Sequence, residues 1–187
     1  DYDEYIPPWR MIPYPNEVFW FMVLLPYTNY RASFWICPAS PEQRNRVEAD
    51  RQALLWKNTG DSLPLRNLMF WVQTIGINGA KFYQTPIKYS RIKYPSDLIY
   101  AGDATGRIGA YYNPYNPNGG RYCSWYVYPQ NGASFYPFHG GGWQNWRNNN
   151  INFLFTDGSV RAVSYSEARG WTIAPWSGEN RKRWLGD

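Results

Sequence analysis

The clearest hydrophobic pattern in the chain is an alternation with a period of two between residues 151 and 163. Asp157-Gly158 separates its two halves, and this dipeptide favours a two-residue type I′ turn. We therefore predict a β-hairpin whose register pairs Phe155 with Val160. The predicted core face carries Ile151, Phe153, Phe155, Val160 and Ala162, and the opposite face carries Asn152, Leu154, Thr156, Ser159 and Arg161.

Two further segments are predicted to be helical. The run at 18–25 is apolar on all sides and should form a buried helix that ends at Pro26. Ser40 is a suitable N-cap for a second helix, with Pro41 at its first position, and this helix should continue to Trp56. Its inward residues are expected to be Val47, Leu54 and Leu55.

The rest of the pattern predicts short strands and long irregular segments. The segment 105–121 is rich in Gly, Asn, Pro and Tyr, which predicts a long loop. One helical turn is expected at 166–169, whereas 170–187 shows no clear period. β-Branched and aromatic residues favour strands at 68–75, 98–101 and 122–128.

Length and charge restrict the classes of function. The 187 residues suffice for one domain with its own core, and the net charge of +5 is modest. Basic residues are scattered except for Arg181-Lys182-Arg183, which we interpret as a solvated terminus, so we expect no nucleic-acid binding. The longest apolar run, at 18–25, is too short to cross a bilayer, so we expect no membrane span.

Cys37 and Cys123 are the two cysteines, and neither belongs to a Cys-x-x-Cys motif or a Cys/His cluster. This pattern does not predict a structural zinc site. The cysteines are either two buried thiols or one disulfide. Because the aromatic, Asn-rich and Lys-poor composition is typical of extracellular proteins, we predict a Cys37–Cys123 disulfide.

His139 is the only histidine, and three glycines follow it in the sequence. Nucleophilic hydrolysis requires a base beside a serine or cysteine, and the chain contains no Gly-x-Ser-x-Gly motif. We therefore expect His139 to have a structural role, bonded to a nearby carboxylate or carbonyl group. We expect no enzymatic activity.

Six blocks of the sequence, taken in order, resemble bacterial prepilin-like proteins with a C-terminal His-spacer-Asp-Gly motif, which are related to type II secretion pseudopilins. The motif residues are His139, Gly140, Gly141, Asp157 and Gly158. The spacer from His139 to Asp157 has 17 residues, longer than the family's, so we interpret 143–150 as an insertion. The blocks are 1–8 (DYDEYIPP), 20–27 (W-x-x-x-L-L-P-Y), 36–38 (Ile-Cys-Pro), 76–79 (Gly-Ile-Asn-Gly), 94–103 (YPSDLIYAGD) and the signature formed by 139–141 with 152–160.

The resemblance implies an α+β fold, in which residues 1–187 form a single pilin-type globular head with an antiparallel β-sheet, few short helices and long loops. It implies a structural subunit of an extracellular or cell-surface filament that binds identical subunits. The block at 1–8 resembles the segment that follows the family's N-terminal hydrophobic helix. The sequence is therefore expected to represent the head without that helix.

The resemblance also makes Asp103 and Asp157 candidate Ca²⁺ ligands, because related pseudopilin heads hold calcium through an Asp-bearing loop. Both residues have an explanation without an ion. Asp157 suits the turn, and Asp103 can accept backbone hydrogen bonds.

Aromatic residues, 37 in number, exceed the 28 Leu, Ile and Val residues, so some rings should remain at the surface. In a filament subunit such rings can form contacts between copies on a heterologous interface that propagates into a polymer. The alternative is a secreted carbohydrate-binding module in which exposed Trp and Tyr stack on polysaccharide. The rings predicted at subunit contacts are Tyr111, Tyr112, Tyr115, Trp143, Trp146, Trp171, Trp176 and Trp184.

Overall fold

Short helices surround a central β-sheet in the computed structural model of the chain. It describes residues 5–8, 10–12, 18–39, 41–78, 81–82, 85–104, 126–127, 139, 149–171 and 178–187. The α-helices in these ranges are α1 (Trp20–Leu24), α2 (Arg46–Thr59), α3 (Leu63–Val72), α4 (Tyr165–Gly170) and α5 (Gly178–Leu185). The strands are β1 (Tyr5–Ile6), β2 (Arg10–Ile12), β3 (Val18–Phe19), β4 (Ile75–Asn78), β5 (Ile87–Lys88), β6 (Ile99–Asp103), β7 (Tyr126–Val127), β8 (Asn150–Phe155) and β9 (Val160–Ser164). The predicted α+β class is confirmed.

The central sheet has the strand order β7-β4-β6-β8-β9. All neighbouring strands in it are antiparallel except β4 and β7, which are parallel. Two small antiparallel pairs, β1-β5 and β2-β3, accompany it. The predicted antiparallel sheet is therefore present, with one parallel strand added.

Two hydrophobic clusters lie on opposite faces of this sheet. Ile77 of β4 belongs to the first cluster, which also contains buried residues of α1, α2 and α3. Phe153 of β8 belongs to the second cluster, together with Tyr165 and Ala168 of α4 and Trp184 of α5. Helices therefore cover both faces of the sheet.

The predicted hairpin is confirmed, but its turn and register differ from the prediction. Gly158 has φ of 85°, whereas Asp157 does not have positive φ. Phe155 N–H donates to the Ser159 carbonyl group, and the Phe155 carbonyl group accepts the Gly158 N–H, which closes a three-residue loop. Such a loop uses one left-handed residue where a type I′ turn needs two.

The longer loop shifts β9 by one residue. Leu154 pairs with Val160, and Phe153 pairs with Arg161. Val160 and Ala162 therefore lie opposite the predicted core face, because a one-residue slip moves every side chain to the other side. Ile151, Phe153 and Phe155 are buried as predicted.

The helix predicted to continue to Trp56 is present, but the face predicted to point inward is wrong. A 3₁₀ helix at Pro41–Asn45 leads into α2, which ends at Gly60 with φ of 75°. The buried residues of α2 are Ala49 and Ala53, while Val47, Leu54 and Leu55 are exposed. Asp50 fixes this orientation, because its carboxylate accepts hydrogen bonds from Ser33 N–H and Ser33 Oγ–H at 2.7 and 2.9 Å.

The segment predicted as a strand at 68–75 is mostly helical. Leu65, Met69 and Val72 are buried on α3, and their spacing of four and three residues is that of a helix face. Asp61 Oδ1 accepts the Leu63 N–H at the start of this helix. The extended segment begins only at β4, so tertiary burial overrides the local strand preference.

The other predicted elements differ mainly in length. The helix expected at 18–25 is divided into β3, α1 and a 3₁₀ helix at Leu25–Thr28, which contains Pro26. The strand at 98–101 and the turn at 166–169 correspond to β6 and α4, and β7 lies within the predicted 122–128. The chain also contains α5, which the pattern of 170–187 did not predict.

Candidate functional site

Cys37 is held beside the central sheet by Thr74. Cys37 N–H donates to the Thr74 hydroxyl group. Thr74 N–H donates to the Trp35 carbonyl group at 3.0 Å, and Ala104 N–H donates to the Thr74 carbonyl group at 2.8 Å. This buried threonine therefore connects Cys37 to the segment that follows β6.

Asp103 is the last residue of β6, and it is buried. Its Oδ2 accepts the Asn152 N–H at 2.7 Å. Burial raises the pKa of Asp103 to about 6 because removal from water disfavours the charged carboxylate, although the Asn152 N–H and His139 oppose this shift. A register shift between Ile99 and Ala101 sets the side of the sheet on which Asp103 lies.

His139 forms an isolated antiparallel bridge with Asn150, and its carbonyl group accepts the Asn150 N–H at 2.7 Å. Its side chain lies close to both Asp103 and Cys37. His139 Nε2 lies 3.3 Å from Asp103 Oδ2 and 3.6 Å from Cys37 Sγ. The expected contact of His139 with a carboxylate is therefore present, and the partner is Asp103.

The two contacts of His139 use the same ring nitrogen. In a nucleophile–base–acid triad, the nucleophile and the carboxylate contact different nitrogens of the imidazole. Here Asp103 and Cys37 both approach Nε2. The arrangement is that of three donor atoms gathered at one point, which differs from a proton relay through the ring.

A cavity of about 340 Å³ adjoins these three side chains. Trp20 and Trp35 form part of its wall, with ring centroids 4.8 Å apart and planes inclined at 67°. Leu154 and Val160 line it from the hairpin. The cavity is therefore apolar over most of its surface, with Cys37, Asp103 and His139 as a polar group in its lining.

The two aspartates predicted as calcium ligands do not meet. Asp103 contacts the chain at Asn152, whereas Asp157 lies at the far end of β8, roughly 15 Å away along the strand. Asp157 Oδ1 instead accepts hydrogen bonds from Ser159 N–H and Ser159 Oγ–H. The hydrogen bond from the Ser159 hydroxyl lowers the pKa of Asp157 most, and the Ser159 N–H adds to this effect.

Two of the eight rings predicted at subunit contacts belong to the core of the chain. Trp171 and Trp184 are buried, and Trp184 Nε1–H donates to the Trp171 carbonyl group at 2.8 Å. Trp171 also contacts Phe153, with ring centroids 5.5 Å apart. The prediction is therefore wrong for these two residues, because Trp184 on α5 and Trp171, directly after α4, belong to the second hydrophobic cluster.

Several predicted residues lie outside the part of the chain that the structure describes. The predicted Cys37–Cys123 disulfide stays a prediction, because Cys123 is one of them. The others are Gly140, Gly141, Tyr111, Tyr112, Tyr115, Trp143, Trp146 and Trp176.

The sequence identifies each of the three clustered residues, but it does not predict that they lie together. It predicts a disulfide for Cys37, a calcium site for Asp103 and a structural role for His139. One feature of the sequence could have indicated the cluster: all three residues lie in segments that resemble the same family of prepilin-like proteins. Cys37 and His139 are 102 positions apart in the sequence, so no local pattern connects them.

Comparisons with known proteins do not identify a family for this chain. No protein-family model, curated protein or solved structure matches it. Within the described ranges, no helix is long and apolar enough to cross a membrane.

Proposed function

We propose that the protein is a structural subunit, the extracellular head of a pilin-like protein that associates with identical copies into a filament. The proposal is supported by the clustering of the sequence blocks that resemble prepilin-like proteins. Cys37, Asp103 and His139 come from three of these blocks, and their donor atoms lie within 4.8 Å of one another. Accidental matches of short motifs would have no physical reason to converge.

Two more of the blocks belong to the same part of the fold. Asn78, from the block at 76–79, is buried, and its side-chain amide donates to the carbonyl groups of Ile99 and Trp184 at 2.8 and 3.1 Å. Trp20, which begins the block at 20–27, contacts Tyr100 with ring centroids 6.3 Å apart. A connected core of this kind supports an architectural role for the blocks.

Association of copies requires apolar surface that is costly to leave in water. Phe34 and Val160 line the cavity, and 52% and 65% of their respective surfaces are exposed. Exposed apolar side chains beside an apolar cavity are typical of protein contact surfaces. A neighbouring copy that places an apolar side chain there would form a heterologous contact, which can propagate into an open polymer.

The test is the mass of the native chain as a function of concentration, measured by sedimentation equilibrium, with electron microscopy of concentrated samples. Val160→Glu should weaken association by at least about tenfold, because it brings an unpaired carboxylate into an apolar contact. Val47→Glu is the matched control, since Val47 is 81% exposed on α2 and does not line the cavity. A protein that is monomeric at every concentration, or an equal effect of both variants, would contradict the proposal.

Polysaccharide binding stays the alternative prediction, since Phe34 and Trp35 are aromatic residues of the cavity lining that retain exposed surface. The measurement of mass against concentration also distinguishes the two functions. A monomer that binds polysaccharide, and that loses this binding in Phe34→Ala, would favour the binding module over the subunit.

A further inference from the structure

Three donor atoms of different chemistry converge beside the cavity: Cys37 Sγ, Asp103 Oδ2 and His139 Nε2. The nitrogen lies 3.6 Å from the sulfur and 3.3 Å from the oxygen. A ring nitrogen carries at most one proton, so Nε2 cannot donate a straight hydrogen bond to both neighbours at once. A cation placed between the three atoms would be coordinated by all of them.

Two of the three distances between these atoms agree with those between ligands of a tetrahedral zinc ion. Zn–N and Zn–O bonds of about 2.0 Å and a Zn–S bond of about 2.3 Å place N and O about 3.3 Å apart, and place S about 3.5 Å from both N and O. The N···O and N···S distances match these values, and the three donor atoms lie within 4.8 Å of one another. Metal binding would bring Cys37 Sγ and Asp103 Oδ2 to about 3.5 Å. We propose that Cys37, Asp103 and His139 bind one divalent transition-metal ion, with Zn²⁺ as the best match.

The donor set distinguishes this site from the calcium site predicted from the sequence. Calcium takes oxygen ligands, whereas a thiolate and an imidazole select a softer ion such as Zn²⁺. Asp157 has no part in the new site, because it lies at the opposite end of β8 from Asp103. The two hypotheses therefore predict different metals, and they predict that substitutions of different residues abolish metal binding.

Neighbouring groups hold two of the ligands in place. Asn152 N–H donates to Asp103 Oδ2, and the Thr74 hydroxyl group accepts the Cys37 N–H. The first bond orients the Asp103 carboxylate, as outer hydrogen bonds do in metal sites, and the second fixes the backbone position of Cys37. The site therefore has its supporting contacts in the protein itself.

Three protein ligands leave one tetrahedral position for water or for another donor. Cys37, Asp103 and His139 all line the cavity of about 340 Å³, whose other walls include Trp20 and Trp35. The cavity suits a ligand that has one anionic donor group and an apolar body. Metal and ligand binding at this site would be a function additional to that of a structural subunit, and it does not depend on self-association.

The Cys37 sulfur cannot form the predicted disulfide with Cys123 and bind a metal as a thiolate at the same time. A thiolate bound to a metal can still accept a hydrogen bond, so other contacts of Cys37 do not prevent coordination. The oxidation state of Cys37 in the native protein is therefore part of the test.

The experiment first removes and measures any metal that the full, natively purified chain holds, by treating it with a chelator. The metal-free chain is then titrated with Co²⁺, which occupies zinc sites and gives a thiolate-to-cobalt charge-transfer band in the near ultraviolet. Zn²⁺ is then added to displace Co²⁺. We expect one equivalent of bound cobalt, a charge-transfer band and loss of that band on addition of Zn²⁺. Cys37→Ser should abolish the band, and His139→Ala should weaken cobalt binding by more than about tenfold.

Two matched variants serve as controls, Cys123→Ser for the thiol and Asp157→Asn for the carboxylate. Both should keep the band and the stoichiometry. The His139 side chain is 37% exposed, so His139→Ala tests the site with little disturbance of the core. Far-ultraviolet circular dichroism confirms that each variant is folded.

Three results would overturn the proposal. The first is the absence of a charge-transfer band in the wild-type protein, and the second is a band that persists in Cys37→Ser. The third is a Cys37–Cys123 disulfide in the native protein, detected by mass spectrometry without reduction. None of these results bears on the self-association test, so the two proposals can fail separately.

Discussion

Gly102 provides the sharpest test of the packing between β6 and β8. It pairs with Phe153 in the sheet, and an added Cβ would lie 2.6 Å from Phe153 Cδ1 and 2.9 Å from Cε1. Both distances are below normal contact, so the ring must move. Phe153 is completely buried and contacts Trp171, which leaves little space for this movement. We therefore expect Gly102→Ala to destabilise the protein.

The magnitude follows from two opposing contributions. Overpacking of a buried site costs about 1–3 kcal/mol. Replacing glycine by alanine restricts the unfolded chain and returns about 0.4–1 kcal/mol. The expected net loss in the free energy of unfolding is about 1–2 kcal/mol, and each kcal/mol lowers the Tm of a chain of this size by about 2–4 °C.

Urea and thermal unfolding, followed by circular dichroism, measure this loss. Gly170→Ala is the matched control, because a Cβ at Gly170 meets no heavy atom within 4 Å, and its expected effect is within about 0.5 kcal/mol. Phe153→Leu removes the ring atoms that the new Cβ would contact. The loss of stability in the Gly102→Ala/Phe153→Leu double variant should therefore be smaller than the sum of the two single losses by at least about 0.5 kcal/mol. A neutral Gly102→Ala, or strict additivity with Phe153→Leu, would refute the described packing.

Two further predictions concern the tip of the hairpin. Gly158→Val should destabilise the protein by about 1–3 kcal/mol in urea unfolding, because a β-branched residue is strained at φ of 85°, and a Gly158→Asn variant should lose less. The pKa of Asp157 is lowered by its Ser159 partners, so its stabilising contribution is complete above the usual pKa near 4 and disappears as the pH falls through the lower folded value. Unfolding measured below pH 4 should therefore show a flatter pH dependence for Asp157→Asn than for wild type, and identical slopes would contradict the assigned hydrogen bonds.

Local signals determined those parts of the fold in which neighbouring residues act on each other. The alternation of Ile151, Phe153 and Phe155 predicted a strand with one buried face, because side chains alternate across a strand whatever its neighbours are. Gly60 ends α2 in the left-handed conformation that glycine adopts without strain. Asp157-Gly158 likewise predicted a turn, although the one-residue difference in loop length was not readable from the dipeptide.

Choices between faces depended on tertiary contacts. Ala49 and Ala53 are less hydrophobic than Val47 and Leu54, yet they are the buried residues, because Asp50 is bonded to Ser33 and orients α2. The aromatic and β-branched residues near Val72 favoured a strand, but burial of a helical face over α3 outweighed that preference. These contacts join segments that are far apart in the sequence, so local sequence patterns do not predict them.

The candidate site was decided in the same way. If β6 were regular, the pairing of Ile99 with Phe155 would place Asp103 on the Phe153 face of the sheet. The register shift after Ile99 instead pairs Ala101 with Leu154, which turns Asp103 toward the face where Cys37 and His139 lie. The sequence shows that a carboxylate lies at the end of this strand. The side of the sheet that Asp103 faces depends on the pairing between β6 and β8, because an irregularity of one residue reverses the direction of every side chain that follows.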